Sequence, residues 1–233
     1  MESKVLGIIP ARAGSTRVKS KNKRLLGGKP LILHVVEQAI KAKKLNKIVI
    51  TSDDEEILEM CKNFNVQLIR RPASISGAKA QASEYVKHAF DILSEDFSHF
   101  CIIPATSPFT LATDIDATVS LAINEESESA VSVMKLDHAI HPYKLKTLSG
   151  KTLKPFIKEE DGKMADFELP DIYVRNCSVY VSRKDVVYKY NQIIGKDMKG
   201  YIMPPERSLD INEEIDFEFA EFLYQKVNNH INN

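Results

Sequence analysis

Residues Val5 to Lys29, VLGIIPARAGSTRVKSKNKRLLGGK, decide how the rest of the chain reads. Val5 to Ile9 is an unbroken apolar run of strand length, the pattern of a parallel strand covered on both faces. Pro10 stops it, since proline donates no ladder hydrogen bond. A small, basic loop follows. Ala11, Ala13, Gly14 and Ser15 admit a ligand close to the backbone and leave amide N–H groups to meet it, while Arg12, Arg17, Lys19, Lys21, Lys23 and Arg24 place six cations in thirteen residues. Such a loop suits a polyphosphate. A solvated basic loop is the plain alternative. Its position directly after a buried first strand weighs against that, because ligands of open α/β sheets bind beyond the carboxyl ends of the strands. The spacing is neither GxxxxGK[ST] nor GxGxxG, which disfavours a P-loop ATPase and a Rossmann dehydrogenase.

Beyond this stretch, apolar strand-like runs alternate with helical patterns, the signature of a mostly parallel α/β sheet in three layers. A first helix is expected from Pro30, burying Leu31, Val35, Ala39 and Ile40. Strands are expected at Lys47 to Thr51, Val66 to Ile69, Phe100 to Ile103, Ala130 to Lys135 and Tyr201 to Met203. Ser52 or Asp53 is read as the cap of a helix through DEEILEMCKNF, and capping explains those acids better than catalysis does. From Leu136 to Asp171 the alternation stops. Prolines, SerGlyLys and AspGlyLys turn signals and charge clusters mark an excursion of hairpins outside the main sheet. A connection that long inside a compact domain needs a partner or a function, the alternative being a loose surface insertion.

The 233 residues fit one domain spanning 1–233, with a core that needs no metal or disulfide staple. Lysine plus arginine and aspartate plus glutamate balance at 32 each, so charge gives no argument for nucleic acid or a membrane surface. Cys61, Cys101 and Cys177 are odd in number and lack metal-ligand spacing, which points to reduced thiols. No apolar run approaches the roughly 20 residues that span a bilayer, and a soluble, cytoplasmic protein is expected.

Ile8 to Ile32, IIPARAGSTRVKSKNKRLLGGKPLI, resembles the signature stretch of the CMP-sialic acid synthetases, the acylneuraminate cytidylyltransferases, and its SerThrArg part is also similar to the related CMP-Kdo synthetases. The similarity returns in the family's order at Thr51 to Ile57, Arg70 to Pro72, Thr106 to Pro108, Leu169 to Pro170, Asn176 to Tyr180 and Ser208 to Asn212, so it covers nearly the whole chain.

The resemblance implies a nucleotidyltransferase-type fold and a cytidylyltransferase, in which CTP and a nonulosonic acid give a CMP-sugar and pyrophosphate, as in lipopolysaccharide or capsule assembly. It implies that Ala11, Arg12, Ala13, Gly14, Ser15, Lys21 and Asn22 hold the triphosphate, with Arg12 and Lys21 acting catalytically. Arg71 and Ser83 are implied at the cytosine and ribose; a guanidinium offers paired donors to a pyrimidine carbonyl edge that a lysine cannot imitate. Thr106, Ser107, Tyr173, Arg175 and Asn176 are implied at the sugar acid. Asp210 is implied as the third catalytic residue and, with Asn212, at Mg2+, and the excursion in a homodimer. Pro104 stands where the family carries glutamine, Asp166 and Phe167 where it carries Arg-Gln, Cys177 where it carries glycine, and Asn212 where it carries a second aspartate. Arg175 is the candidate to replace the missing arginine toward a carboxylate. The alternatives are a sugar-1-phosphate nucleotidylyltransferase and an inactive nucleotide-sugar-binding protein.

Overall fold

The computed structural model describes residues 3–14, 17–158 and 169–231, with side chains to residue 226. The opening run forms β1 (Val5–Pro10). Its alternate side chains divide between two cores, Val5 and Ile9 facing one side of the sheet and Leu6 and Ile8 the other. A short antiparallel ribbon, β2 (Leu25–Leu26) and β3 (Lys29–Pro30), closes the basic loop and leads into α1 (Leu31–Lys41). There follow β4 (Lys47–Ser52), α2 (Glu55–Cys61), β5 (Gln67–Arg70), α3 (Ala82–Ile92), β6 (His99–Ile102), α4 (Ala112–Asn124) and β7 (Ser129–Lys135). Next come the hairpin β8 (Lys146–Ser149) and β9 (Thr152–Pro155), then β10 (Tyr173–Arg183), α5 (Lys184–Tyr190), β11 (Met198–Ile202) and α6 (Glu214–Ile231).

Seven strands make the main sheet among the described residues, in the order β11-β7-β10-β6-β1-β4-β5. All pairs run parallel except those of β10, which is antiparallel to both β6 and β7. Helices α1, α2 and α4 pack on one face and α3 and α5 on the other, which gives the three expected layers. A third, smaller core lies beneath the basic loop, where Val18 and Leu26 meet Ile211, Phe217 and Ala220. It fastens the two ends of the chain together.

Two local readings change. Ile40 is 36% exposed, because the buried stripe of α1 is centred on Ile32, Val35, Val36 and Ala39 and Ile40 falls on its edge. The cap of α2 is Asp54, whose carboxylate accepts from the Glu56 amide at 3.0 Å, while Ser52 Oγ accepts from the Asp54 amide at 3.0 Å one step earlier. The direction of β10 was not legible, since a doubly covered apolar strand has the same composition whichever way it runs. Helix α5, only seven residues long, was too short to show a helical period. The excursion does leave the main sheet, as its own two-stranded hairpin turned at Gly150 with φ of 60°. Asp166 and Phe167 lie outside the described residues.

Candidate active site

A cleft of about 380 Å³ opens at the carboxyl ends of β1, β5 and β6, where the chain leaves the sheet. Arg12, Arg17, Lys21 and Asn22 line it from the basic loop, Arg71 from the exit of β5, and Thr106 from the exit of β6. The fold therefore gathers into one hollow residues from distant parts of the chain, Asn212 before α6 included.

Of the six cations of the loop, Lys19 is exposed to solvent and the other five divide into two sets. Arg12, Arg17 and Lys21 face the cleft. Lys23 is spent on Asp54 and Glu56, at 2.9 and 2.8 Å, and Arg24 pairs with Glu214 while lying 3.9 Å above the Phe217 ring. Those two fasten the loop to α2 and α6. Lys21 Nζ donates to the Ile211 carbonyl; burial pushes its ammonium below the ordinary lysine range, opposed by the nearby Asp210 carboxylate. Asn22 is buried and donates from Nδ2 to the Arg12 carbonyl at 3.2 Å, so it shapes the loop from within.

The backbone amides are less available than their composition implies. Ala11 donates to the Thr51 carbonyl at 3.0 Å and Ala13 to Asp53 Oδ1 at 2.9 Å. Gly14 is open, with no heavy atom within 4 Å of the position a Cβ would take. Ser15 lies outside the described residues.

Arg71 is 5% exposed, yet it lines the cleft. Its Nε and Nη2 donate to Thr51 Oγ1 and the Thr51 carbonyl at 3.2 and 2.7 Å, and its guanidinium carbon sits 4.8 Å over the Tyr85 ring. Burial lowers its pKa, with Tyr85 and Asp53 opposing. Tyr85 also lines the cleft and was missed in the sequence, because only the packing direction of α3 distinguishes it from a core aromatic. Arg17 was visible only as one of six cations; its role as a wall, bonded to Asn212 Oδ1 at 3.2 Å and Glu213 at 3.2 Å, needed the tertiary structure.

Ser83 does not join Arg71 in this cleft. It lines a neighbouring cavity of about 620 Å³ together with Arg175, Ile193, Ile194 and Met198, and Ala82 borders both hollows. Ser83 is 2% exposed and its Oγ has no hydrogen-bond partner, an unusual state for a buried hydroxyl. Of the remaining sugar candidates, Thr106 lines the first cleft and its carbonyl accepts from the Ile211 amide at 2.9 Å. Ser107 is fully buried and donates to the Cys177 carbonyl at 3.0 Å, so its hydroxyl is structural. Asn176 is likewise buried, with its amide engaged by Ser132 and Ser208. Tyr173 stands exposed at the start of β10, opposite Lys135, and lines neither cavity.

Asp210 and Asn212 sit on the segment that precedes α6. Asn212 Nδ2 donates to Asp210 Oδ2 at 2.8 Å, and of the two Asn212 lines the cleft. The Asn212 side chain accepts from Arg17 and not from a helix amide, and the amides of residues 212 and 213 both donate to Asp216 Oδ2 at 2.8 Å. The half-buried Cys177 thiol lies within hydrogen-bonding reach of Tyr180 and Asp210, and burial pushes its pKa up, away from a nucleophilic thiolate. Among the described residues, no three or more His, Cys, Asp or Glu side chains gather for a metal.

A mostly parallel three-layer sheet with a cationic cleft at its carboxyl edge defines an α/β protein of the nucleotidyltransferase type. The family model for cytidylyltransferases matches residues 6–228, and the chain belongs to that family. It is 29% identical over 229 residues to an N-acylneuraminate cytidylyltransferase of Escherichia coli, covering 98% of this chain and 54% of that protein. The chain thus spans about half the length of that relative. It is 27% identical to a pseudaminic acid cytidylyltransferase of Campylobacter jejuni, covering 97% of each. Among solved structures, a CMP:2-keto-3-deoxy-manno-octonic acid synthetase complexed with CTP superposes with a TM-score of 0.71 at 15% identity, over 96% of this chain and 99% of that one, a likeness of fold. No described helix is long and apolar enough to cross a membrane.

Proposed function

We propose that the chain makes a CMP-sugar from CTP and a nonulosonic acid, releasing pyrophosphate. The observation that carries this reading is the pair of adjoining hollows, one walled by Arg12, Arg17, Lys21 and Arg71 and the other holding Arg175 and the unpartnered Ser83. The first suits a triphosphate and a base; the second gives a guanidinium for a carboxylate. The anomeric hydroxyl attacks the α-phosphorus in line and pyrophosphate leaves. Arg12 meets the charge of the α-phosphate, Lys21 that of the triphosphate, and Arg71, braced on Thr51 and Tyr85, offers its remaining guanidinium donors to the cytosine. Little covalent chemistry is asked of the protein, so position and charge supply most of the acceleration.

Asp210 fits a magnesium ion by donor chemistry, since one carboxylate with phosphate oxygens and water suffices; Asn212, whose Nδ2 donates to Asp210 and whose Oδ1 accepts from Arg17 at 3.2 Å, would add an amide carbonyl only on giving up the Arg17 contact. A Mg2+ ion held there would supply charge neutralisation on the triphosphate and a lower pKa for the attacking hydroxyl. The hairpin β8–β9 exposes Leu148, Leu153 and Phe156, at 69%, 65% and 62%, which supports its use as the contact between two copies of the chain.

Pyrophosphate release is the test, measured with CTP and a panel of nonulosonic acids, Kdo and sugar 1-phosphates. Release with a nonulosonic acid and none with sugar 1-phosphates is expected. Ligand-induced thermal stabilisation without any turnover replaces the enzyme with a binding protein.

A further inference from the structure

Strand β10 pairs regularly with β7 from Tyr173 to Arg175 and again from Tyr180, but between them the register shifts. Arg175 stands opposite Val133 and Tyr180 opposite Val131, so five steps of one strand match two of the other. The surplus is a bulge containing Cys177 at φ of 59°, a left-handed conformation costly to a side chain with a Cβ. Bulges beside active sites commonly re-aim a side chain. Here the re-aimed one is Asn176.

Asn176 Oδ1 accepts from Ser132 Oγ at 2.6 Å on the neighbouring strand. Its Nδ2 donates to Ser208 Oγ at 2.8 Å, and Ser208 Oγ in turn donates to the Pro204 carbonyl at 2.8 Å. Ser107 Oγ pins the bulge from below through the Cys177 carbonyl, at 3.0 Å. The segment that carries Asp210 is therefore tied to the sheet at residue 208 through Asn176, and at residue 211 by the Thr106 carbonyl and Lys21. Asp210 lies between the two ties.

We infer that Asn176, through Ser208, is a positioning residue that sets the Asp210 carboxylate for its metal, and that it is not a sugar contact. This rests on the reading of Asp210 as a metal ligand. Groups hydrogen-bonded to a metal ligand typically change metal affinity by about 10- to 100-fold when removed; Ser208 touches no atom of Asp210 and acts at one remove, through the backbone between them, so the low end of that range is expected. Beside the bulge, Asn176 joins Ser132 of β7 to Ser208 of the segment beyond the sheet.

The test measures Mn2+ affinity directly, by electron paramagnetic resonance with CTP present, beside CTP affinity without metal. Ser208→Ala removes the acceptor while leaving Asn176 on Ser132, and is expected to weaken Mn2+ binding about tenfold with metal-free CTP affinity unchanged. Ser208→Thr keeps the hydroxyl and is expected to hold Mn2+ within about threefold of wild type. Val119→Ala, a core change on α4, controls for general destabilisation and leaves Mn2+ affinity as it was. Asn176→Ala is the stronger form of the same change; should it fail to fold, Ser208→Ala carries the result. Wild-type Mn2+ affinity in Ser208→Ala overturns the positioning role alone. A wild-type protein that binds no Mn2+ with CTP overturns both this role and the metal reading of Asp210.

Discussion

The basic loop and the excursion are both long, lysine-rich connections without strands of the main sheet, yet the structure treats them in opposite ways. The loop is pinned from several directions: Lys23 to α2, Arg24 to α6, Lys21 to the Ile211 carbonyl, and Val18 in a core shared with Phe217. The hairpin β8–β9 keeps Leu148 and Leu153 in solvent and joins no core cluster. The contrast separates two ways in which a loop serves function. A loop that must place charges against phosphate is preorganised by the far end of its own chain, since positions have to hold through the reaction. A loop that leaves apolar surface uncovered offers it for a contact, which the proposed dimer would supply.

The largest effect is expected where the pinned loop meets the C-terminal segment. Asp210→Asn keeps the side chain's size and its contact with Asn212, but removes the anionic oxygen; turnover should fall by about 1000-fold with metal-free CTP binding intact. Rates measured against Mg2+ concentration decide it, and an unchanged metal dependence would falsify the metal role. Arg12→Ala comes next. It should lower turnover by roughly 100-fold, about 3 kcal/mol, and affect CTP affinity far less, because the α-phosphate's charge redistributes as the bond shifts.

A change that loosens the pinning without touching a charge sharpens the comparison. Gly27 has φ of 56°, and a Cβ there would lie 1.9 Å from the Tyr224 ring of α6. Gly27→Ala should therefore cost about 2–3 kcal/mol of stability and weaken CTP binding as well, since it pushes α6 off the loop. Thermal unfolding together with CTP titration checks it; lost stability with unchanged CTP affinity means that α6 does not hold the loop in place. The matching change on the other side is Leu148→Ser with Leu153→Ser. It should alter the stability of the single chain by less than about 0.5 kcal/mol, because these side chains are already in water, while turning a dimer into a monomer. Light scattering at micromolar concentration reads this directly, and a wild-type monomer ends the dimer reading.

The smallest effect is on pH. Burial depresses the Lys21 pKa below 10.5, so its charge is lost sooner as pH rises than an ordinary lysine's would be. CTP affinity should accordingly decline on the alkaline side below pH 10.5, and Lys21→Arg, which stays protonated, should remove that limb while leaving neutral-pH affinity within a few-fold. An alkaline limb that persists in Lys21→Arg assigns it to another group.

By itself the sequence determined the α/β class, the buried first strand, the polyphosphate loop after it and the place of the excursion, because each is written in local residue type: an apolar run, small residues among cations, turn signals. It also marked Arg12, Lys21, Asn22, Arg71 and Thr106, which the sheet brings into one cleft by ending its parallel strands on the same edge. What it left open depends on distance and direction. That Lys23 and Arg24 are structural while Arg17 faces the cleft follows from where α2 and α6 present their carboxylates. Ser107 and Asn176 look like free donors until their partners, 70 and 32 residues away, are known. Ser83 falls in the second hollow rather than the first because α3 turns it there. Pairing across the chain decides whether a polar side chain is spent within the fold or left for a ligand, and that pairing exists only in the folded chain.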